Sequence, residues 1–215
     1  KSTSSPLTVA IGMLYADTVR IAETPESREL RDASAVYGSS VVGSVLANSA
    51  TCYGGPSRAS SCSRAGVVAG MDPVSGAVIG TVGLRQMWFW SSGGPNDLKV
   101  GLSATVPYVV GRDGNRWIED ADGSRIRQDV FGNVQFGAIY AVAGISLEDT
   151  LAASHAGGVA GNDDPIDDVP IALGYALVDA YPNGATEANF QDFMRSSDVR
   201  RLLGESGLYQ PAGAS

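Results

Sequence analysis

One segment with clear strand character decides the fold class: Tyr108-Val-Val-Gly-Arg-Asp-Gly-Asn-Arg-Trp-Ile-Glu-Asp-Ala-Asp-Gly-Ser-Arg-Ile-Arg127. Three short runs rich in Val, Ile and Trp are separated by Asp113-Gly114 and Asp122-Gly123. Asp-Gly pairs favour hairpin turns because both residues tolerate positive φ. We therefore expect a small antiparallel β-hairpin sheet around residues 105–130.

Helix signals lie on both sides of this segment. Ser5-Pro6 and Thr24-Pro25 each join an N-cap residue to proline at the first helical position, and apolar residues then recur at helical spacing. Further helices are predicted at Ala35–Ala50, from about Pro73, after Gly132, from Ser146, from Asp164-Pro165, from Thr186 and around Asp198. The fold class is therefore mainly α (α+β), as one domain over residues 1–215 with an inserted hairpin sheet.

Composition and charge exclude several classes of protein. The 215 residues are 44% hydrophobic and 18% charged, which is close to globular averages and unlike disordered, collagen-like or coiled-coil chains. No uninterrupted apolar run approaches the roughly 18 residues that a membrane helix requires. Asp and Glu number 23 against 15 Lys and Arg, for a formal charge of -8, which repels phosphate backbones and acidic lipids. We expect neither nucleic acid nor a membrane as partner.

Cys52 and Cys62 are the two cysteines, and they flank a nine-residue segment rich in turn-forming residues. We expect a disulfide, worth about 2–3 kcal/mol on the chain-entropy model; the alternative is two reduced thiols in a cytosolic protein. Disulfides persist in oxidising compartments, and the chain begins at Lys1 without an apolar leader, as a processed secreted protein would. We therefore expect an extracellular protein. Two thiols and the single His155 do not make a structural zinc site, so no metal or cofactor is expected.

Carboxylates are the remaining candidates for chemistry, because the common nucleophile, metalloprotease and nucleotide-binding motifs are absent from the sequence. They concentrate in Gly161-Asn-Asp-Asp-Pro-Ile-Asp-Asp168. Crowding of like charges can keep one carboxylic acid able to donate a proton near neutral pH. The alternative is structural: Asp163 and Asp164 cap the helix that begins at Pro165, and Asp167 and Asp168 stabilise its positive end.

A second candidate site joins aromatic residues to a polar loop. Met87-Trp-Phe-Trp90 is followed by Gly93-Gly-Pro-Asn-Asp-Leu-Lys99, which contains the only lysine besides Lys1. Aromatic faces beside Asp, Asn and Lys suit sugar rings, whose C–H faces stack while their polar groups form hydrogen bonds. The alternative is a helix end packed on the core, although adjacent aromatics on a helix point to different sides and cannot all be buried.

Five segments, in this order, resemble the motifs of the bacterial polymorphic-toxin type 44 domain. They are Met87-Trp-Phe-Trp90, Gly93-Gly-Pro-Asn-Asp-Leu-Lys99, Asp129-Val-Phe-Gly-Asn-Val-Gln-Phe-Gly137, Ala143-Gly-Ile145 and Asp163-Asp-Pro-Ile-Asp167. The resemblance covers about residues 80–180. The family typically has an aromatic residue where Asn96 stands, and often Tyr or His at Gln135 and Phe136. Related secreted fungal proteins resemble a recently defined group of muramidases.

The resemblance implies a compact, lysozyme-like helical domain that cleaves bacterial peptidoglycan between N-acetylmuramic acid and N-acetylglucosamine, as a secreted monomer. Glycoside hydrolysis needs a proton-donating carboxylic acid and a second carboxylate, with no cofactor. We expect Asp163 or Asp164 in the active site. The other carboxylate is Asp129 or one of Glu23, Glu26 and Glu29, which lie near a junction of two predicted helices. Glu23 is favoured because lysozyme-like enzymes often carry their acid at the end of an early helix. The residues expected to hold substrate are Trp88, Trp90, Lys99, Asn133 and Asp167.

Two other functions remain open at this point. A toxin-type ribonuclease could use Lys99, His155 and an acid. A noncatalytic cell-wall or carbohydrate-binding module could use the Trp88 and Trp90 surface alone, and loss of the Asp163 and Asp164 carboxyl groups would then leave its activity unchanged. We rank the muramidase first, the nuclease second and the binding module third.

Overall fold

Helices form most of the described chain, and one small antiparallel sheet accompanies them, as predicted. The computed structural model describes the backbone of residues 4–50, 98–156 and 165–214, and the side chains of these residues except 45–50 and 156. The helices described are α1 (Pro6–Ala22), α2 (Pro25–Tyr37), α3 (Ser39–Ala50), α4 (Leu98–Thr105), α5 (Asp129–Val142), α6 (Leu147–Ala156), α7 (Asp168–Ala180), α8 (Glu187–Arg195) and α9 (Ser197–Glu205), with a 3-10 turn at Pro165–Asp167.

The predicted helix starts are confirmed where a side chain caps the first turn. The Ser5 hydroxyl accepts a hydrogen bond from the Thr8 backbone N–H at 3.1 Å, at the start of α1. Thr24 caps α2 in the same way, with proline following it. Thr186 and Asn189 form a reciprocal capping box at α8. Each of these hydrogen bonds is made within three residues, which is why sequence alone locates them.

Three predicted helix boundaries differ from the structure. The helix expected over Ala35–Ala50 is divided, because Gly38 adopts φ 88° and ends α2 before α3 begins. Helix α5 begins at Asp129, ahead of Gly132. Pro165 opens a 3-10 turn, and the α-helix begins only at Asp168, without a side-chain cap. The helix predicted from about Pro73 lies outside the described residues.

The sheet has the strand order β1-β2-β3-β4, all antiparallel. Its strands are β1 (Val109–Val110), β2 (Arg116–Glu119), β3 (Arg125–Arg127) and β4 (Tyr209–Gln210). Gly114 and Gly123 have φ of 79° and 83°, which is the reason the Asp-Gly signal predicted these turns. The fourth strand was not predicted: it comes from near the end of the chain, and Tyr209 pairs with Ile126.

The described chain divides into two compact units. Unit 1 comprises Lys1–Val19, Leu98–Ala138 and Ile166–Ser215, and unit 2 comprises Arg20–Asp97 and Ile139–Pro165. Helices α1 and α5 contribute residues to both units. The single catalytic domain over residues 1–215 stays a prediction.

The core of unit 1 joins its helices to one face of the sheet. Ile118 and Ile126 lie opposite each other in neighbouring strands and are each 1% exposed. They belong to a buried cluster that also takes residues from α1, α4, α5, α7, α8 and α9. Tyr15 and Phe190 add an edge-to-face ring contact, with centroids 5.4 Å apart. This apolar cluster fixes where the amino-terminal part of α5 lies.

Helices α5 and α7 cross at backbone contact in unit 1. A Cβ atom at Gly137 would lie 2.0 Å from the carbonyl oxygen of Ile171, and one at Gly174 would lie 2.3 Å from that of Val134. Both positions therefore require glycine at this separation of the helices.

In unit 2, α3 packs against α2 and α6. A Cβ at Gly43 would lie 2.4 Å from the Cβ of Asp149. Helices α3 and α6 can approach this closely because residue 43 has no side chain. In the described ranges of both units, no helix combines the length and the apolar character needed to cross a bilayer.

Candidate functional site

The candidate site is built on one side of helix α5. Asp129, Gly132, Asn133 and Phe136 fall within about 100° of the helix circumference, at 3.6 residues per turn. All four are partly exposed, whereas the residues between them, such as Val130, are buried. We call this set the α5 strip. It contains Asp129 and Asn133, which the sequence had assigned to catalysis and to substrate binding.

Lys99 of helix α4 lies against this strip. Its Cε atom is 3.5 Å from the position that a Cβ atom would take at Gly132. The Lys99 carbonyl oxygen also accepts a hydrogen bond from the Gln128 side chain at 3.1 Å. The structure therefore brings Lys99, Asp129 and Asn133 together at the start of α5, although Lys99 is 30 residues earlier than Asp129.

Arg127 holds the Asp129 carboxylate from the end of strand β3. Its Nε donates to both carboxylate oxygens at 2.9 Å, and its Nη2 forms an ion pair with Oδ2. The two side chains are 14% and 24% exposed. An arginine that contacts both oxygens fixes the orientation of a carboxylate and stabilises its negative charge. Arg127 was not among the predicted site residues, although it lies only two residues before Asp129 in the sequence.

A hydrogen-bond network connects the start of α5 with α4 and the sheet. The Gln128 side chain donates to the Ser103 hydroxyl at 2.8 Å as well as to Lys99. Arg116 Nη1 also donates to the Ser103 hydroxyl, at 2.6 Å. Gln128 is 6% exposed, so its two hydrogen bonds are partly shielded from water, whereas the bond between Arg116 and Ser103 is exposed. It fixes Lys99 relative to Asp129, because Gln128 directly precedes Asp129 in the chain.

Two amide side chains of α5 have buried atoms without a hydrogen-bond partner among the described residues. The buried Nδ2 of Asn133, and both amide atoms of Gln135, have no hydrogen-bond partner in the part of the chain that the structure describes. Gln135 is fully buried. A buried amide without a partner costs about 1–3 kcal/mol for each group. The sequence signal for Gln135 was a polar residue one helical turn after the buried Phe131.

The other predicted site residues lie in the 3-10 turn before α7, in unit 2, or outside the described residues. Asp167 ends the 3-10 turn in unit 1 and directly precedes α7. Glu23 belongs to unit 2, where it is 59% exposed and forms an ion pair with Arg28 at 2.7 Å. Four predicted site residues and the predicted disulfide lie outside the described residues: Trp88, Trp90, Asp163 and Asp164, with Cys52 and Cys62.

A separate charged cluster in unit 1 stabilises the fold. Asp120, after β2, is 9% exposed and accepts hydrogen bonds from Arg195, from Ser5 at 2.7 Å and from the Ala121 backbone. Arg200 lies 3.4 Å away. Burial alone would raise the pKa of Asp120, but the hydrogen bonds from Arg195, Ser5 and Ala121 outweigh burial and hold that pKa below its usual value. This cluster joins α1, the β2–β3 turn, α8 and α9.

Neither a metal-binding arrangement of the described side chains nor a comparison with known proteins indicates what the candidate site does. Among the described residues, no group of three or more His, Cys, Asp or Glu side chains is arranged to hold a metal ion. The chain matches no family model, no curated protein and no solved structure. The likeness to the type 44 toxin domain and the fungal muramidases therefore stays a prediction from the sequence motifs.

Proposed function

We propose that this protein is a muramidase, a glycoside hydrolase that cleaves the glycan strand of bacterial peptidoglycan. One observation carries the proposal: Lys99, Asp129 and Asn133, which come from separate segments of the motif series, lie together at the start of α5. Asp129 and Asn133 are polar residues on a partly exposed side of α5, and Lys99 of α4 lies against that side. Such a surface offers a cation, a carboxylate and an amide to a sugar that carries hydroxyl and acetamido groups.

Asp129 is assigned the role of the carboxylate rather than that of the proton donor. Its contacts with Arg127 stabilise the negative charge and aim both oxygens. A charged carboxylate serves as a nucleophile or as a base that activates water, and a second, protonated acid must then protonate the leaving group. We assign the proton donor to Asp163 or Asp164, on the basis of the motif resemblance. Lys99 and Asn133 then bind and orient the sugar.

The proposal also covers location and partner. We propose that the protein acts outside the cell on the peptidoglycan of bacteria, as a monomer without a cofactor. The acidic composition, with a formal charge of -8, supports a neutral or mixed-charge glycan as ligand more than a nucleic acid.

The direct test is clearing of bacterial cell walls followed by mass analysis of the released fragments. New reducing ends on N-acetylmuramic acid are the expected product. Freed peptides with an intact glycan would instead identify an amidase or a peptidase, and degraded RNA in a parallel assay would identify the ribonuclease.

The Asp129→Asn variant tests the assigned role. It keeps the shape of the side chain and removes the charge, and we expect kcat to fall by about 10²–10⁴-fold. The matched control is Asp198→Asn, because Asp198 also lies in the first turn of a helix, α9, and does not belong to the strip. Equal activity of the two variants would remove Asp129 from the mechanism.

A further inference from the structure

A second exposed surface lies beside the candidate site, where the β1–β2 hairpin meets α4. Arg116 pairs with Val110 across the two strands, so both side chains point to the same face of the sheet. The Arg116 guanidinium lies 4.8 Å from the centre of the Tyr108 ring. Val110 is 60% exposed and Tyr108 is 38% exposed. We call this surface the hairpin patch, and it consists of Val100, Ser103, Tyr108, Val110 and Arg116.

The charge of the hairpin patch differs from that of the rest of unit 1. Arg116 makes no ion pair with any described residue, and neither does Arg112 in the adjoining loop. The other arginines of unit 1 each contact a carboxylate: Arg125, Arg127, Arg195, Arg200 and Arg201. In a chain with 23 acidic residues, an exposed arginine without an acidic partner leaves a local positive charge that suits an anion.

The geometry of Arg116 favours a carboxylate. Ser103 accepts from Nη1 at 2.6 Å, and the Tyr108 ring lies against the guanidinium plane, so the side chain is already ordered. A preorganised guanidinium binds a carboxylate through parallel N–H donors and loses little entropy in doing so. The exposed Val100 and Val110 add apolar contact of the kind that an aliphatic peptide side chain fills.

Hydrogen bonds connect the hairpin patch to Lys99, which lies against the α5 strip. Ser103 bonds both Arg116 and Gln128, and Gln128 also bonds the Lys99 carbonyl oxygen. The buried side-chain amide of Gln128 therefore forms hydrogen bonds on both sides, to Ser103 of the patch and to Lys99. A glycan that binds to the α5 strip could therefore place a side branch on the hairpin patch, if that branch is attached to the sugar on the strip.

We propose that the hairpin patch binds the carboxylate groups of the stem peptides of peptidoglycan, while the α5 strip binds the glycan; this rests on the proposed function. Peptidoglycan carries both chemistries on one repeating unit, as sugars with acetamido groups and short peptides with free carboxylates. Arg116 forms the ion pair, and Tyr108 and Val110 contact the peptide chain.

The test is co-sedimentation with insoluble sacculi freed of teichoic acid, before and after the free carboxylates of their peptides are converted to neutral amides by carbodiimide coupling of ammonia. The treated material keeps its cross-links and stays insoluble, and we call it stripped sacculi. We expect wild-type protein to bind intact sacculi more tightly than stripped ones. Arg116→Gln should weaken binding to intact sacculi about tenfold and leave binding to stripped sacculi unchanged. Added salt should reduce this difference, because exposed charges are screened. The control is Arg201→Gln, since Arg201 is an exposed arginine of α9.

A second pair of variants leaves Arg116 in place. Val110→Glu adds a negative charge to the patch and should weaken binding to intact sacculi. Val36→Glu makes the same change on α2, where Val36 is 73% exposed, and should have no effect. The proposal is overturned if wild type binds both materials equally or neither, or if each patch variant behaves like its control. Release of reducing ends is measured separately, so a protein that shows the patch effect without hydrolysis contradicts the muramidase assignment alone.

Discussion

The contact between α5 and α7 gives the sharpest prediction about stability. An alanine Cβ at position 137 would lie 2.0 Å from the Ile171 carbonyl oxygen, whereas ordinary contact begins at 3.4 Å. The two helix backbones must therefore separate by about 1.4 Å, the difference between these distances. Overpacking of this kind costs about 1–3 kcal/mol, and more where backbone atoms cannot move aside. Alanine recovers about 1 kcal/mol of helix propensity, so Gly137→Ala should lose about 2 kcal/mol of unfolding free energy.

Urea unfolding followed by circular dichroism measures this effect. The matched control is Gly204→Ala in α9, where the added Cβ would lie 3.7 Å from the Tyr209 ring, an ordinary contact. That variant should be neutral or slightly stabilised. Gly174→Ala on the facing helix should resemble Gly137→Ala. If Gly137→Ala is as stable as Gly204→Ala, then α5 and α7 are not in backbone contact. The position of α5, which carries the candidate site, would then be wrong as well.

Two further predictions concern charge and the cysteines. Asp120→Asn should lose about 2 kcal/mol at pH 7, because it leaves Arg195 without its carboxylate and Arg200 with Asp122 alone. The pKa of Asp120 is lowered in the folded protein, so its contribution is present above about pH 4, the unfolded value, and is lost as pH falls through the folded pKa. Urea titrations should therefore show the two proteins converging at lower pH, and a constant difference would contradict the ion pair. Cys52 and Cys62 should resist alkylation until reduced, and reduction should cost about 2–3 kcal/mol; two reactive thiols in the unreduced protein would exclude the disulfide.

Local interactions explain which parts of the fold could be predicted. Thr24 and Thr186 accept from backbone N–H groups three residues away, and Gly114 adopts the positive φ of its turn, so each signal lies within a few residues. Strand β4 pairs with residues more than 80 positions earlier, and nothing in the Tyr209–Gln210 sequence specifies that partner. The division at Gly38 was missed because small residues continue on both sides of it.

The candidate site, too, could be predicted only where its signals are local in the sequence. Asp129, Asn133 and Lys99 were identified through the motif resemblance. The predicted helix began after Gly132, so only the observed start of α5 at Asp129 places Asp129 and Asn133 on one side of that helix. The contact of Lys99 with that side depends on the packing of α4, which no local pattern encodes. The hairpin patch was missed for a related reason: the sequence identifies Arg116 as part of a strand, but its lack of an acidic partner is a property of the folded surface.

The composition of helix α5 explains how one element can both support the fold and present a site. Gly137 faces α7 at backbone contact, Phe131 is fully buried in the core, and the α5 strip is left as the partly exposed side. A helix held rigidly on its other sides keeps the residues of its exposed side in fixed relative positions, which is the condition for a preorganised binding surface. The separation of Asp129 and Asn133 is therefore set by the helix, and the position of Lys99 by its contact at Gly132. A substitution at Gly137 should accordingly reduce activity on cell walls as well as stability, although Gly137 lies outside the strip.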